Sequence, residues 1–279
     1  MSLIPQLAHY WEAFERLGNP GHVLLKRAFG KPYDLMTIED RESGIRCRCT
    51  VGSYHMFGGT WYSRDYDVPQ VPLRPGDVAL DLGANQGFFT CYAAHRGAKV
   101  YAFEPNPESY ERLLSNVENN GLKDRVVAKP WAITNHNGRA ELQVSNELGG
   151  GMATIHPEFA RNAKISVRRA VEVPCYTLSR AMGELSVPHV RLCKIDAEGS
   201  EIEILRTLEP RHLAAIDSFA VEYHPEAYAL RELAEIILGW GTHQIGFNDE
   251  RKYSARILRL ISNRILLDGN SPSSTGASV

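Results

Sequence analysis

The clearest pattern in the chain is an apolar run, a helical segment and a second apolar run between residues 77 and 104. The first run, Val78–Leu80, ends at Asp81, and the second, Val100–Phe103, ends at Glu104. Two parallel strands joined by a helix form a βαβ unit. In such sheets a ligand lies outside the carboxyl ends of the strands, beside the turn that follows the first strand. The pattern therefore predicts a binding site at this turn.

The composition of that turn favours one cofactor over another. Its small and polar residues include Gly83, Ala84, Asn85 and Gly87. Glycine lets the backbone approach a ligand closely and adopt a positive φ, but the middle glycine of the dinucleotide-binding G-x-G-x-x-G turn is missing. Asp81 beside the turn would repel a pyrophosphate and suits a cationic ligand that carries an amino acid. Because Glu104 can accept hydrogen bonds from both ribose hydroxyls, the pattern favours S-adenosylmethionine over NAD.

A second acidic cluster follows the apolar strand Val190–Ile195. The residues that lead from this strand into the next helix include Asp196, Glu198, Gly199 and Glu201. A later strand, Ser218–Tyr223, brings Glu222 and His224 to the same edge of the predicted sheet. Acids and a histidine that converge where the ligand should lie are candidates for proton transfer.

Each of these groups also has a purely structural interpretation. Asp196 could orient a loop, Glu201 could cap its helix, and Glu222 with His224 could form a structural pair. Capping is the favoured role for Glu201, because a carboxylate is stabilised near a helix N-terminus. The place of Glu222 and His224 at a carboxyl strand end favours a functional role for them.

The N-terminal residues are predicted to form a helix and a small β arm. Leu7, Trp11, Phe14 and Leu17 recur at helical spacing, and the sequence GNPG at residues 18–21 ends the helix. Residues 33–62 read as three short strands with several aromatic residues. This arm either covers a ligand or simply packs against the sheet edge, and the packing role is the more common one. Prolines at 69, 72 and 75 form a stiff linker.

The region between the two acidic clusters is less informative. The Asn-Pro pair at 106–107 predicts a helix start, and a third strand, Val126–Lys129, follows. The residues that leave this strand, 130–133, are expected near the adenine end of the ligand. A short pair of strands is predicted around residues 140–144. The glycine-rich segment 148–152 is predicted to be a mobile loop. A gating or acceptor-facing role for this loop and a role as a plain connector are equally compatible with the sequence.

Composition limits the classes of function. Lys and Arg total 31 and Asp and Glu total 33 in 279 residues, and the net charge of -2 gives no overall attraction to nucleic acid or an anionic membrane. No apolar run is long enough to span a bilayer, and the N-terminus lacks a signal-peptide pattern, so we expect a cytoplasmic location. Cys47 and Cys49 lack the partners of a zinc site, which favours plain thiols.

Four segments together resemble one enzyme family. They are DLGANQGFFT from Asp81, YAFEPNPESYERLLSN from Tyr101, LCKIDAEGSEIEIL from Leu192 and FAVEYHPE from Phe219. In this combination they resemble the FkbM family of S-adenosylmethionine-dependent methyltransferases, over about residues 77 to 247. The resemblance implies an α/β, Rossmann-like class I methyltransferase fold with a seven-stranded, mainly parallel sheet and an antiparallel last strand. Its final two strands would be Gln244–Phe247 and Ala255–Leu260.

The chain then divides into an N-terminal helical and β cap (residues 1–70), a catalytic domain (71–267) and a disordered tail (268–279). The resemblance also implies which residues bind S-adenosylmethionine: Asp81, Gly83, Ala84, Asn85, Gly87, Glu104, Pro105, Ala132 and Asp196. Members of the family are associated with O-methylation of sugars and secondary metabolites. The expected acceptor is therefore a hydroxyl on a small molecule or sugar.

The expected reaction is direct displacement at the sulfonium methyl by an acceptor oxygen. Alignment is the main contribution of the protein, and a base takes the hydroxyl proton. His224 is the first candidate for the base because its ordinary pKa lies near neutrality, and Glu198 and Glu222 are next, as the base or as the group that orients the imidazole. Asp196 with Glu222 and His224 could instead hold a divalent cation that lowers the pKa of the acceptor, but no metal is predicted.

Three other functions compete with this one. A non-catalytic adenosyl-ligand-binding protein would keep the first acidic stretch but should lose the second, which is present here. A dehydrogenase would need the missing glycine of the dinucleotide turn. A nucleic-acid methyltransferase is disfavoured because the chain has neither a basic patch nor an N-P-P-Y segment for a flipped base.

Overall fold

The structure is a computed structural model that describes residues 15–145, 152–246 and 257–269. Several sequence-based expectations lie outside these residues: the helical pattern from Leu7 to Phe14, the glycines at 149–151, Phe247, Ala255 and the tail from residue 270. Within the described ranges, no helix combines the length and the apolar character needed to cross a membrane.

The described strands form three sheets. In chain order they are β1 (Leu35–Glu39), β2 (Arg46–Thr50), β3 (Val78–Leu82), β4 (Lys99–Phe103), β5 (Val126–Lys129), β6 (Ala132–Ile133), β7 (Gly138–Ser145), β8 (Ala153–Thr154), β9 (Val167–Tyr176), β10 (Leu192–Ile195), β11 (Ser218–Glu222), β12 (His243–Gly246) and β13 (Ile257–Ser262). The α-helices are α1 (Pro20–Phe29), α2 (Tyr54–Gly58), α3 (Phe88–His95), α4 (Pro107–Asn119), α5 (Pro157–Asn162), α6 (Leu178–Glu184), α7 (Glu201–Arg206), α8 (Pro210–Ala215), α9 (Leu230–Trp240) and α10 (Asn263–Gly269).

The largest sheet has the strand order β12-β13-β11-β10-β3-β4-β5. Neighbouring strands from β11 to β5 are parallel, whereas β13 is antiparallel to both β11 and β12. This confirms the predicted seven-stranded, mainly parallel sheet with an antiparallel last strand. The final two strands span His243–Gly246 and Ile257–Ser262, a shift of one or two residues from the predicted bounds.

Helices cover both faces of this sheet, which explains why its central strands are mainly apolar, apart from Asp81 in β3 and Lys194 in β10. One face packs against α3, α4 and the N-terminal residues, and the other packs against α6, α7, α8 and α9. Every residue of α3 from Phe88 to Ala94 is buried. Since α3 begins directly after the Gly83 turn, its burial holds that turn at the carboxyl edge of the sheet.

A four-stranded sheet with the order β6-β9-β7-β8 lies beside the main one. The strands expected around residues 140–144 correspond to β7, which pairs along its length with the unpredicted strand β9. Most side chains in the first half of β9 are exposed, and Pro174 lies within it. A proline and a polar pattern both argue against a strand when only the sequence is known. β6, which contains Ala132, pairs with the other end of β9.

The N-terminal arm, residues 15–70, departs most from the sequence-based prediction. Glu15 and Arg16 are helical and the helix ends before Gly18, as predicted. A further helix that was not predicted, α1, begins at Pro20, where the fixed φ of proline suits the first helical position. β1 and β2 form an antiparallel hairpin. The third predicted strand is wrong, because residues 54–63 form α2 and a π-helical turn.

Aromatic packing explains why that segment is helical. Phe57 and Trp61 lie one helical turn apart, and their rings stack with centroids 5.6 Å apart. Phe57 also meets the edge of Phe88 in α3, and Trp61 meets Tyr92. The arm is therefore part of the core on this face of the sheet. The five cysteines are all free and buried.

Candidate active site

The turn after β3 requires glycine at one position. Gly83 has a φ of 76°, and a Cβ atom there would lie 1.7 Å from the carbonyl oxygen of Asp196. The turn therefore touches the segment that follows β10, and any side chain would push the two apart. Gly87, with a φ of 84°, leads into α3, and a Cβ atom on Gly87 would lie 3.2 Å from the side chain of Leu113. Ala84 and Gly83 both donate backbone hydrogen bonds to the carbonyl oxygen of Phe103.

Glu104 closes the other side of the turn. Its two carboxylate oxygens accept hydrogen bonds from the backbone N–H groups of Asn85, at 2.7 Å, and Asn106, at 2.8 Å. Burial raises the pKa of Glu104 to about 7, although both N–H groups oppose the shift. A small cavity of about 50 Å³ adjoins this carboxylate, and Pro105 and Ala132 also line it.

Asp81 lies beneath the turn, with no exposed surface. One carboxylate oxygen accepts a hydrogen bond of 2.6 Å from the Thr90 hydroxyl, and the other lies 3.1 Å from Nζ of Lys194. Lys194 also donates to the carbonyl oxygen of Gly83, at 2.8 Å. Burial alone would lower the pKa of Lys194, but Asp81 and Asp196 outweigh this effect and raise it. The lysine is therefore a buried cation that balances two of the site's carboxylates.

The larger cavity, of about 380 Å³, lies between the arm and the carboxyl edge of the sheet. Its volume is within the range of small-molecule sites, about 300 to 1,000 Å³. The structure brings the four predicted catalytic residues together in its wall: Asp196, Glu198, Glu222 and His224. It adjoins the small cavity, because the same residues line both: Gly83, Asn85, Asp196 and Glu198.

His224 is surrounded by carboxylates. Its Nδ1 lies 3.1 Å from Glu201, and its Nε2 lies 3.6 Å from Glu198 and 3.9 Å from Asp196. The edge of its ring meets Phe159. Burial by itself would lower the pKa of His224, but the three carboxylates raise it to about 10. The ordinary pKa that made His224 the first candidate for the base therefore does not hold in this environment.

Two of the neighbouring acids hold protons more tightly than usual. Burial is the main cause for both: it raises the pKa of Glu198 to about 8 and that of Glu222 to about 7. The negative charge of Asp196 acts in the same direction on each. Acids whose pKa values lie close to neutrality can exchange a proton with a substrate at physiological pH.

Glu201, predicted to cap its helix, instead binds the loop that precedes the helix. Its fully buried carboxylate accepts hydrogen bonds from the backbone N–H groups of Ala197 and Gly199, and it contacts His224. It therefore shapes the loop that carries Glu198. Asp196, Glu201 and His224 each present one possible metal-ligand atom within 4.8 Å of the others. The cation set considered from the sequence contained Glu222 instead of Glu201.

The lining residues that were not identified from the sequence include Lys194 and Tyr66, both of which contact the predicted acids. The signal for Lys194 was visible, since it is a lysine inside the otherwise apolar strand β10. Tyr66 comes from the arm, and its hydroxyl reaches Asp196 and Glu222, 130 and 156 residues away in the chain. A contact so distant in sequence leaves no local pattern.

Comparison with known proteins identifies the family. The family model described as the methyltransferase FkbM domain matches residues 81–255, more than half of the chain. The chain is 28% identical over 195 residues to 31-O-demethyl-FK506 methyltransferase FkbM from Streptomyces tacrolimicus, and the alignment covers 61% of this chain and 74% of that protein. It is also 28% identical over 190 residues to hexuronic acid methyltransferase AglP from Haloferax volcanii, and this alignment covers 65% of this chain and 72% of that protein.

Among solved structures, methyltransferase FkbM from Methylobacillus flagellatus aligns with a TM-score of 0.47 and 14% identity, over 93% of this chain and 59% of that one. The matched residues of the family model include the Gly83 turn, Glu104 and the acidic cluster after β10. The chain belongs to the FkbM family of methyltransferases.

Proposed function

We propose that this protein transfers the methyl group of S-adenosylmethionine to a hydroxyl oxygen of a small molecule or sugar. The observation that carries the proposal is the convergence of Asp196, Glu198, Glu222 and His224 in one cavity, which the Gly83 turn also lines and which adjoins the smaller cavity beside Glu104. The named activities of two relatives, on 31-O-demethyl-FK506 and on a hexuronic acid, support an acceptor of this kind.

The adenosyl group would occupy the small cavity, with the ribose hydroxyls on Glu104 and the adenine near Pro105 and Ala132. Because this cavity is only about 50 Å³, adjacent side chains have to move when the nucleoside enters. The methionine part would run along the Gly83–Asn85 turn toward Asp196. Gly87 shapes the turn from behind. Asp81 acts from beneath it, because its carboxylate faces Thr90 and Lys194 and not the cavity.

In the proposed reaction, a lone pair of the acceptor oxygen forms the new O–CH₃ bond while the S–CH₃ bond breaks. The sulfonium leaves as the neutral thioether S-adenosylhomocysteine, and the hydroxyl proton passes to a base. The protein supplies alignment of the oxygen, the methyl and the sulfur. The arm, proposed here as a cap, would exclude water, since His55, Met56 and Tyr66 line the cavity opposite the sheet edge.

Glu198 is the better matched base in this environment. His224, with a pKa of about 10, is an imidazolium at neutral pH and has no lone pair with which to accept a proton. Glu198, with a pKa of about 8, is partly ionised there, and a bound sulfonium would favour its ionised form further. His224 as the base stays a prediction, and the pH dependence of the reaction distinguishes the two.

The test is transfer of a labelled methyl group from S-adenosylmethionine to a panel of neutral sugars, uronic acids, polyketide alcohols and bulk tRNA. We expect label on a hydroxyl compound, and an about 10²-fold or greater loss of rate in Glu198→Gln. Glu158→Gln, at an exposed position in α5, is the matched control and should retain the rate. Label on tRNA alone would refute the proposed acceptor class.

A further inference from the structure

Tyr66 reaches two acids of the transfer site from outside the part of the chain that the family model matches. Its hydroxyl lies 2.9 Å from Oε2 of Glu222 and 3.1 Å from Oδ2 of Asp196. A phenol has one proton to donate, so the two carboxylates share one donor. Burial and both carboxylates raise the pKa of Tyr66 well above its ordinary value, which keeps that proton on the phenol.

The phenol is held firmly in place. The backbone carbonyl oxygens on either side of it, those of Asp65 and Asp67, accept hydrogen bonds from the guanidinium of Arg259 in β13. Arg259 is only 1% exposed. The ring of Tyr66 packs edge-on against Phe89 and lies 5.1 Å from Nζ of Lys194. The hydroxyl therefore has little freedom to follow the carboxylates if they rotate.

This fixed donor sets the orientation of Asp196. Oδ2 of Asp196 faces Tyr66 and, at 3.5 Å, Lys194. Its other oxygen, Oδ1, is thereby directed to Nε2 of His224. The same hydroxyl donates to Glu222 at the end of β11.

We propose that Tyr66 is a positioning residue of the transfer site, which holds Asp196 and Glu222 in the orientation that faces the acceptor. The proposal rests on the proposed function, because it assigns the arm a part in that same site. On this proposal the site includes a residue that precedes the region matched by the family model. Tyr66 acts through the two carboxylates and takes no proton from the acceptor.

Removal of the hydroxyl should change how Glu222 titrates. The charged and titratable groups that face Glu222 are Tyr66, Asp196, Glu198, Lys194 and His224. A hydrogen bond to the ionised form of an acid favours that form. In Tyr66→Phe, the pKa of Glu222 should therefore rise, by about one unit, since hydrogen bonds to charged groups are worth about a factor of ten or more in an equilibrium.

The experiment is a ¹³C NMR titration of the side-chain carboxyl groups in the full chain without ligand, with Glu222 assigned from Glu222→Gln. The matched control is Tyr62→Phe, an arm tyrosine whose hydroxyl bonds to no described residue. Tyr66→Leu, which removes the ring as well, should show the same shift as Tyr66→Phe. We expect the shift in both Tyr66 variants and not in Tyr62→Phe.

An unchanged Glu222 titration in both Tyr66 variants, or an equal shift in Tyr62→Phe, would overturn the proposal.

With any acceptor from the screen, Tyr66→Phe should lower kcat about tenfold and leave the KM for S-adenosylmethionine within about twofold. An unchanged kcat would also overturn the proposal. Since the titration needs neither cofactor nor acceptor, it can succeed even if S-adenosylhomocysteine does not bind, which separates this proposal from the proposed function.

Discussion

Glu104 should make the stability of the protein depend on pH in a defined direction. Its carboxyl group is buried in the folded state, where its pKa is about 7, and solvated in the unfolded state, where its pKa is near the ordinary 4.5. Because the folded state binds the proton more tightly, the contribution of Glu104 to stability is fully present below the unfolded pKa. That contribution is lost as the pH rises through about 7.

The size of the effect follows from the two pKa values. The difference between an ordinary pKa of 4.5 and a folded-state pKa of about 7 corresponds to about 3 kcal/mol, at 1.36 kcal/mol per unit. Most of this change falls between about pH 5 and pH 8. Glu104→Gln removes the titration, so the variant should gain stability relative to the native protein by about 2 to 3 kcal/mol across this interval.

Urea denaturation of both proteins at a series of pH values measures the effect. The curve of unfolding free energy against pH for Glu104→Gln should diverge from that of the native protein. The curve for Glu111→Gln, at an exposed position in α4, should run parallel to the native curve. Parallel curves for Glu104→Gln would show that burial does not raise this pKa. The variant should also bind S-adenosylhomocysteine more weakly, so that stability and ligand affinity change in opposite directions.

Three other substitutions test separate parts of the site. Gly83→Ala places Cβ 1.7 Å from a carbonyl oxygen and should lower the unfolding free energy by about 3 kcal/mol. The control Gly44→Ala, at a position with a φ of 71° and no atom within 4 Å of the added Cβ, should show only the smaller cost of the positive φ. Equal losses of stability for the two variants in thermal denaturation would contradict the steric argument. Lys194→Met leaves Asp81 and Asp196 uncompensated and should cost about 3 to 5 kcal/mol. Adding Asp81→Asn should recover part of that loss, and strict additivity would argue against the ion pair. For the native protein, kcat should rise with pH up to about 8 if Glu198 is the base. A rise that continues toward about 10 would identify His224 instead.

Local patterns in the sequence predicted the parallel strands and the position of the site, whereas the complete seven-stranded sheet with its antiparallel strand was implied by the family resemblance. Asp81, Glu104, Asp196 and Glu222 each lie at or next to the carboxyl end of an apolar run, and parallel strands bring such ends to one edge. The glycines of the turn were expected to let the backbone approach a ligand, whereas the close approach at Gly83 is to the carbonyl oxygen of Asp196.

The features that were missed depend on contacts between distant residues. The role of Lys194 emerges only from its register opposite Asp81 in the neighbouring strand. The helical form of residues 54–63 depends on aromatic packing against α3, which overrides an apparent strand pattern. The pKa of His224 depends on three carboxylates that converge on it in the folded protein, so its ordinary value was a poor guide.

The most direct test of the central claim is calorimetric titration of the full chain with S-adenosylhomocysteine and, separately, with NAD. We expect binding of S-adenosylhomocysteine at about micromolar concentration, loss of that binding in Glu104→Ala, its retention in Glu111→Ala, and no binding of NAD. Binding of NAD, or binding of S-adenosylhomocysteine that does not depend on Glu104, would contradict the account of this site.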